Sequence, residues 1–264
     1  MKTKLTFKDK KIDNFEELLS LYGKKEFASP YRSTIPLIEL FFRNVSELEK
    51  IIPNYESFTC SFEYETKVLY GKGKASCTDL MIYNDEKAYC IEAKRTEPAY
   101  QSVKKWLEKG KRENKKLVLS GWLELINNKC GTNLKEKDVK HFPYQVIHRF
   151  ASACKIGINM REGNVQLFYF FLDEANSNIE YYKNVLLELS ELVNNSVIIK
   201  SFVFRIEETE NYKIIENLWN KRTGKLDLSN DIKRLLIREK CMSIYRAEFN
   251  LGETSWKEIS IDEL

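Results

Sequence analysis

Apolar and polar residues alternate along two neighbouring stretches, Ala75 to Tyr83 and Lys87 to Arg95, and the polar run Asn84, Asp85, Glu86 separates them. Leu80 and Ile82 mark the alternation in the first arm. In the second, Ala88, Cys90 and Glu92 alternate against Tyr89, Ile91 and Ala93. A period of two on both sides of a short polar turn predicts adjacent antiparallel strands. Side chains change face at every residue of a strand, so Glu92 and Lys94 share a face, and the turn brings Asp79 back beside them. Two acids and an amine gathered on one strand pair are costly to hold together unless a cation and a substrate use them.

The remaining pattern surrounds this hairpin. Residues 1–28 are charged and mixed, with a short helical pattern in Phe15, Leu18, Leu19 and Tyr22 that ends at Gly23, and are expected to pack on the outside. Hydroxyl residues and Pro36 suit a helix N-terminus before the apolar body of Leu37, Ile38, Leu40, Phe41 and Phe42. Glu39 interrupts that body, and lies either on the solvent edge or pointing at a site. Residues 57–69 read as a first strand, with Phe58, Cys60, Phe62 and Tyr64 on one face. Gly71, Lys72, Gly73 and Lys74 turn the chain into the strand of Asp79. The two lysines could lie against phosphates, but a hairpin loop is the favoured reading, since the stretch lacks the length and hydroxyl residue of a phosphate-binding P-loop.

Downstream, Glu97 and Pro98 open a helix through Trp106 to Lys109, and Leu117 to Ile126 is a second amphipathic stretch. Between and around them lie Lys104, Lys105, Lys109, Lys111, Arg112, Lys115 and Lys116, either a solvated surface or the flank of a phosphate path. Residues 127–141 read as a polar, insertion-like loop. His141 to Cys154 forms a helix with an apolar stripe of Val146, Phe150, Ala153 and Cys154, which leaves Gln145, His148 and Arg149 together on another face. Val165 to Leu172, nearly continuous in apolar residues, suits a strand buried on both faces. Helices over 178–194 and 211–220, a strand over 197–206, a short helix over 232–240 and a strand near 244–249 complete an α/β sandwich pattern.

Composition narrows the class. A chain of 264 residues, 43% hydrophobic, can build one sizeable core, and its net charge of +4 says little about partners. The six cysteines, at 60, 77, 90, 130, 154 and 241, form no CxxC pair and read as buried thiols of a reducing compartment, which argues against zinc. With two histidines in all, a His-rich metal cage is excluded by counting. The N-terminus lacks the apolar core of a signal peptide and no stretch is long and apolar enough to span a membrane, so a cytoplasmic protein is expected. The terminal Ile-Asp-Glu-Leu faintly echoes an ER-retention tail and is set aside for want of a signal peptide. There is no Gly-x-Ser-x-Gly elbow, no glycine fingerprint for a nucleotide, and no histidine placed by sequence as a base beside serine or cysteine.

Asp79, a gap, and Glu92-x-Lys94 at the end of an apolar strand resemble the PD-(D/E)xK phosphodiesterases, the restriction-endonuclease-like superfamily. Thr78 stands where that pattern's proline would fall. The resemblance implies a core of helix, three strands, helix and strand over about 29–175, with 1–28 as an N-terminal extension and 176–264 as C-terminal α/β additions to a single domain. It implies a central mixed sheet flanked by helices and a metal-dependent nuclease acting on DNA, of restriction, repair or phage-defence type. Asp79, Glu92, the Ala93 carbonyl and Glu39 would hold Mg²⁺, with Mn²⁺ as a substitute, because hard oxygen donors suit that ion. Lys94 would orient water and offset charge, and Gln145 and Arg149 would reach the site from the following helix. Lys72, Lys74, Arg95, Lys104 and Arg149 would contact the nucleic acid. A homodimer follows by analogy with enzymes that cut both strands. The alternative is a non-catalytic nucleic-acid-binding or assembly module on the same fold.

Overall fold

The computed structural model of the protein describes residues 4–27, 29–160, 163–221 and 229–247. Glu248 and Phe249 at the end of the expected last strand, and the terminal Ile-Asp-Glu-Leu, lie outside them. The expected hairpin is present as β4 (Ser76–Tyr83) and β5 (Lys87–Lys94), paired antiparallel from Tyr83↔Ala88 to Leu80↔Ile91. Asn84 closes its turn, the side-chain oxygen accepting the N–H groups of Glu86 and Lys87 at 2.9 and 2.8 Å. An aspartate or asparagine side chain that bonds its own downstream backbone is a standard way to stop a strand.

Around the hairpin lies an eight-stranded mixed sheet in the order β2-β1-β3-β4-β5-β6-β7-β8. The other strands are β1 (Lys4–Phe7), β2 (Lys10–Ile12), β3 (Thr59–Thr66), β6 (Asn164–Phe171), β7 (Ile198–Glu208) and β8 (Met242–Arg246). β5, β6 and β7 run parallel, and β3, β4 and β5 are antiparallel neighbours. Helices cover both faces. On one face lie α1 (Phe15–Leu21), α2 (Thr34–Arg43), α3 (Val45–Glu49), α9 (Glu210–Lys221) and α10 (Ser229–Arg238), around an apolar cluster that includes Leu18, Ile38, Phe62, Leu80, Ile91, Tyr212 and Leu236. On the other lie α4 (Val103–Leu107), α5 (Arg112–Cys130), α6 (Glu136–Val139), α7 (Tyr144–Asn159) and α8 (Ile179–Leu192), around Met81, Cys90, Trp122, Phe150, Tyr169 and Tyr182. The protein is thus an α/β fold with a central mixed sheet between helical layers.

Several expectations change. The N-terminal 28 residues do not stay outside: β1 joins the sheet parallel to β3, and Leu18, Leu19 and Tyr22 are buried. Their charged positions hide a four-residue strand too short to show a period. The helix expected from Glu97 begins at Val103, capped by Ser102, because Glu97 is committed elsewhere, its carboxylate taking Ser33 N–H and O–H and Arg95 N–H. The segment 127–141 is shorter than a loop of that length, since α5 runs on to Cys130, stops at Gly131 with φ 66°, and α6 follows. Cys60, Cys90, Cys154 and Cys241 are buried as expected, while Cys77 and Cys130 are partly exposed.

The single-face reading of β3 also fails beyond Phe62. Glu63 adopts φ 51°, a left-handed backbone, and the ladder passes from Phe62↔Leu80 to Tyr64↔Thr78 over it. The strand turns over there: Cys60 and Phe62 sit in the α2 cluster, whereas Tyr64 packs toward the α7 side.

Candidate active site

β4 and β5 part at the pair that carries the acids. Pairing ends at Leu80↔Ile91, so the next residues outward, Asp79 and Glu92, stand opposite each other beyond the last rung. Asp79 Oδ2 replaces the lost ladder partner by accepting Ala93 N–H at 2.8 Å. The parallel ladder on the other side of β5 takes the Lys94 carbonyl, bonded by Leu172 N–H at 2.7 Å. Backbone groups alternate in direction along a strand, so the Ala93 carbonyl turns to the β4 side, where pairing has ended.

Glu92 and Lys94 share the face of Ala88 and Cys90, beneath α7. Lys94 Nζ donates to Glu92 Oε1 at 2.7 Å and to Gln145 Oε1 at 2.9 Å, and Gln145 Nε2 donates to Glu92 Oε1 at 2.8 Å. Arg149 Nε donates to Glu92 Oε2 at 2.5 Å, and its Nη1 donates to Ser76 Oγ at 2.8 Å. Glu92, Lys94 and Arg149 are 1%, 5% and 8% exposed, so these are desolvated, charge-assisted bonds. The helical spacing of Gln145 and Arg149 is what lets one turn of α7 grip both oxygens of one carboxylate.

The two acids are driven apart electrically. Burial pushes Glu92 up, but the charges of Arg149 and Lys94 outweigh it and hold the carboxyl below its ordinary range. Asp79 is raised well above that range, by burial first and by the charge of Glu92 second, with Arg149 and Lys94 only partly offsetting them. Burial lowers Lys94, yet Glu92 and Asp79 leave its ammonium more basic than usual. Glu63 is raised to about 7 by burial, opposed by Arg149 and reinforced by Glu26 and Glu92. A carboxylate pushed up beside another carboxylate is a group that a cation would stabilise.

Asp79, Glu92, Lys94, Gln145 and Arg149 therefore come together as the pattern predicts. Glu39 does not join them. It is buried in the α2 layer, where Oε2 accepts Cys241 N–H at 3.3 Å and Oε1 lies 3.7 Å from Arg43 Nε. The N-terminal end of β8 occupies the direction the sequence left open. Arg95 is turned away as well, because it follows Lys94 and so faces the opposite layer. Its guanidinium donates to Tyr212 Oη at 2.7 Å, Pro30 O at 3.2 Å and Glu208 Oε1 at 2.6 Å, a structural tie rather than a nucleic-acid contact. Lys72 and Lys74 are exposed in a turn that Asn114 clamps by two 2.7 Å bonds to the Lys72 backbone, the hairpin-loop arrangement. Lys104 lines a groove with Ser102, Arg112, Lys140 and His141 to which no acid of the site contributes.

Ser76 and Glu63 also belong to the neighbourhood, which the strand periods do not show. Strict alternation puts Ser76 on the face of Leu80, away from α7. The turnover at Glu63 reverses that, because Ser76 shares its face with Thr78, the partner of Tyr64. His148, expected only as a structural hydrogen-bonder, lies 2.8 Å from Ser76 Oγ through Nδ1, so a histidine does stand beside a serine.

Among the described residues, no group of three or more His, Cys, Asp and Glu side chains is placed to hold a metal ion. The oxygen donors at the parted strands are Asp79, the Ala93 carbonyl and Glu92. Oε1 of Glu92 is filled by two donors and Oε2 by one, which leaves one lone-pair position on Oε2. That set suits a hard cation that keeps most of its waters.

Fold and site together define a mixed-sheet α/β protein with a buried carboxylate, lysine and arginine cluster at the end of its central hairpin. The chain belongs to the family described as a domain of unknown function, DUF6946, whose model matches residues 10–205. No curated protein and no solved structure matches it. None of the described helices is long and apolar enough to cross a membrane.

Proposed function

We propose that the protein is a Mg²⁺-dependent phosphodiesterase acting on DNA, built on a restriction-endonuclease-like core of α2, β3, β4, β5, α7 and β6. The observation that carries the reading is the opposition of Asp79 and Glu92 where β4 and β5 part, with Lys94 two residues on and hydrogen-bonded to Glu92 at 2.7 Å. Asp79, Glu92 and the Ala93 carbonyl would hold the cation, with Mn²⁺ able to substitute. When bound, such an ion neutralises charge on phosphate oxygens and makes water a better nucleophile.

The chain's own residues supply the rest. Lys94, kept cationic by its two acidic neighbours, offsets the charge that builds on a phosphate during attack. Gln145 fixes Lys94 and Glu92 in one orientation by bonding both. Arg149 keeps Glu92 ionised, so that the carboxylate is an oxygen donor at neutral pH. DNA cleavage of this kind serves restriction, repair or phage defence, in a cytoplasmic protein and, where both strands are cut, in a homodimer.

The second reading, a non-catalytic nucleic-acid-binding or assembly module, draws on one observation: Glu92 is already neutralised by Lys94 and Arg149. Incubation of supercoiled plasmid, linear duplex and single-stranded DNA with Mg²⁺ or Mn²⁺ separates the two. Metal-dependent cutting that falls roughly 100-fold or more in both Asp79→Ala and Lys94→Ala is the expected result. Salt-sensitive duplex binding without cleavage, unchanged by either substitution, would establish the binding module instead.

A further inference from the structure

Ser76 and His148 lie outside the acid and lysine set, yet they complete a continuous chain of bonds into it. Arg149 donates Nε to Glu92 and Nη1 to Ser76, and Ser76 Oγ lies 2.8 Å from His148 Nδ1. A guanidinium can only donate, so Ser76 accepts from Arg149, and the hydroxyl still has one proton to give, for which His148 Nδ1 is an acceptor within reach. In that arrangement His148 is neutral and carries its proton on Nε2. Its ring is held between Trp122 and Tyr144, with centroids 6.2 and 4.9 Å away, and Ser76 is 3% exposed.

We propose that Ser76 and His148 are positioning residues for the site, a relay that fixes the plane of the Arg149 guanidinium and through it the orientation of Glu92. This rests on the phosphodiesterase reading for its effect on turnover. Arg149 grips Glu92 through the single Nε–H, about which the fork can pivot. The Ser76 hydroxyl supplies the second point of attachment, and His148 supplies the acceptor that keeps the hydroxyl turned that way. With the fork fixed, the free lone-pair position of Oε2 is presented in one direction. With the fork loose, it is not. Groups that orient a metal-binding or reacting carboxylate through one intermediate typically change activity or metal affinity 10- to 100-fold when removed.

Two readouts test this on the full-length protein. Nitrogen-15 NMR follows the Arg149 Nε–H and the His148 ring nitrogens without any assumption about activity. The expected wild-type spectrum shows a slowly exchanging Arg149 Nε–H and an unprotonated His148 Nδ1. In Ser76→Ala and in His148→Ala the Nε–H signal moves and exchanges faster, while Ser76→Thr, which keeps the hydroxyl, restores it. Cleavage kinetics give the second readout: kcat falls roughly 10- to 100-fold in the alanine variants, KM for DNA stays within about twofold, and Ser76→Thr recovers kcat. His148→Ala leaves Ser76 in place and serves where Ser76→Ala fails to fold. An Arg149 signal that does not change in either alanine variant overturns the relay, as does wild-type kcat in a folded alanine variant. If the wild-type protein cuts no DNA, the phosphodiesterase reading falls by itself, and the NMR result still decides whether Ser76 and His148 hold Arg149.

Discussion

Glu39 was visible in the sequence as a carboxylate set among five apolar residues, and its side chain is indeed buried. Its direction was not legible, because the group that meets it, Cys241 N–H, comes from two hundred residues away. Burial raises Glu39 from an ordinary 4.5 to about 7, and Arg43 and two backbone N–H groups only partly offset it. Between those values the folded protein holds a proton that the unfolded chain has released. Stability therefore falls as pH rises through that window, and the loss is complete above about 7. A shift of this size corresponds to at most about 3 kcal/mol. Glu39→Gln keeps an oxygen for Cys241 N–H and cannot ionise. Urea unfolding is expected to give similar stabilities for variant and wild type at pH 5, and a variant more stable by up to about 3 kcal/mol at pH 8. Parallel stability curves across that range would show that Glu39 is not strained by its burial.

At the scale of single elements, regular periods are legible in the sequence and their interruptions are not. The face of α7 that carries Gln145, His148 and Arg149 follows from a helical repeat that nothing disturbs. β3 departs from its period at Glu63, and that one residue decides where Tyr64 points and how Ser76 reaches α7. A left-handed backbone costs a non-glycine residue on the order of 1 kcal/mol, and nothing in the residue type announces it. The consequence is measurable by comparing two substitutions that both remove the carboxylate. Glu63→Gly releases the backbone strain and Glu63→Ala retains it, so the glycine variant should be the more stable by about 1 kcal/mol in denaturant unfolding. In an ordinary strand the order reverses, since glycine there is the weaker residue. Alanine proving more stable would mean that β3 runs through Glu63 without turning over.

At the scale of the whole molecule, the alternation of helices and strands makes the α/β class legible and a single domain expected, but it does not show how closely the stretch after 175 is built into the core. The stretch from 176 onward read as additions because it follows a pattern already complete at Leu172, and the family match ends at 205. The contacts tie that stretch to the core. Tyr212 Oη bonds Pro30 O at 2.8 Å, Lys233 Nζ bonds Tyr22 O at 2.6 Å, Arg43 donates to Leu236 O at 2.5 Å, and Asn44 bonds β8 through Met242 O and Ile244 N. Tyr212, Ile215, Ile232, Leu236, Met242 and Ile244 are buried in the same apolar cluster as α2 and the inner face of β3. At roughly 1.5–3 kcal/mol for each buried side chain, those six contribute on the order of 10 kcal/mol, comparable to the whole stability of a typical domain. Removal of everything after residue 206 also takes away Glu208 and Tyr212, leaving Arg95 buried beside the site without its main partners, and an unpaired buried charge is costly. The shortened chain is therefore expected to lose cooperative unfolding and to aggregate, although it keeps every residue of the candidate site. Circular dichroism during heating checks this directly. A sharp transition within a few degrees of the full-length protein would show that residues 207–264 are an appendage, and that the core read from the alternation pattern stands without them.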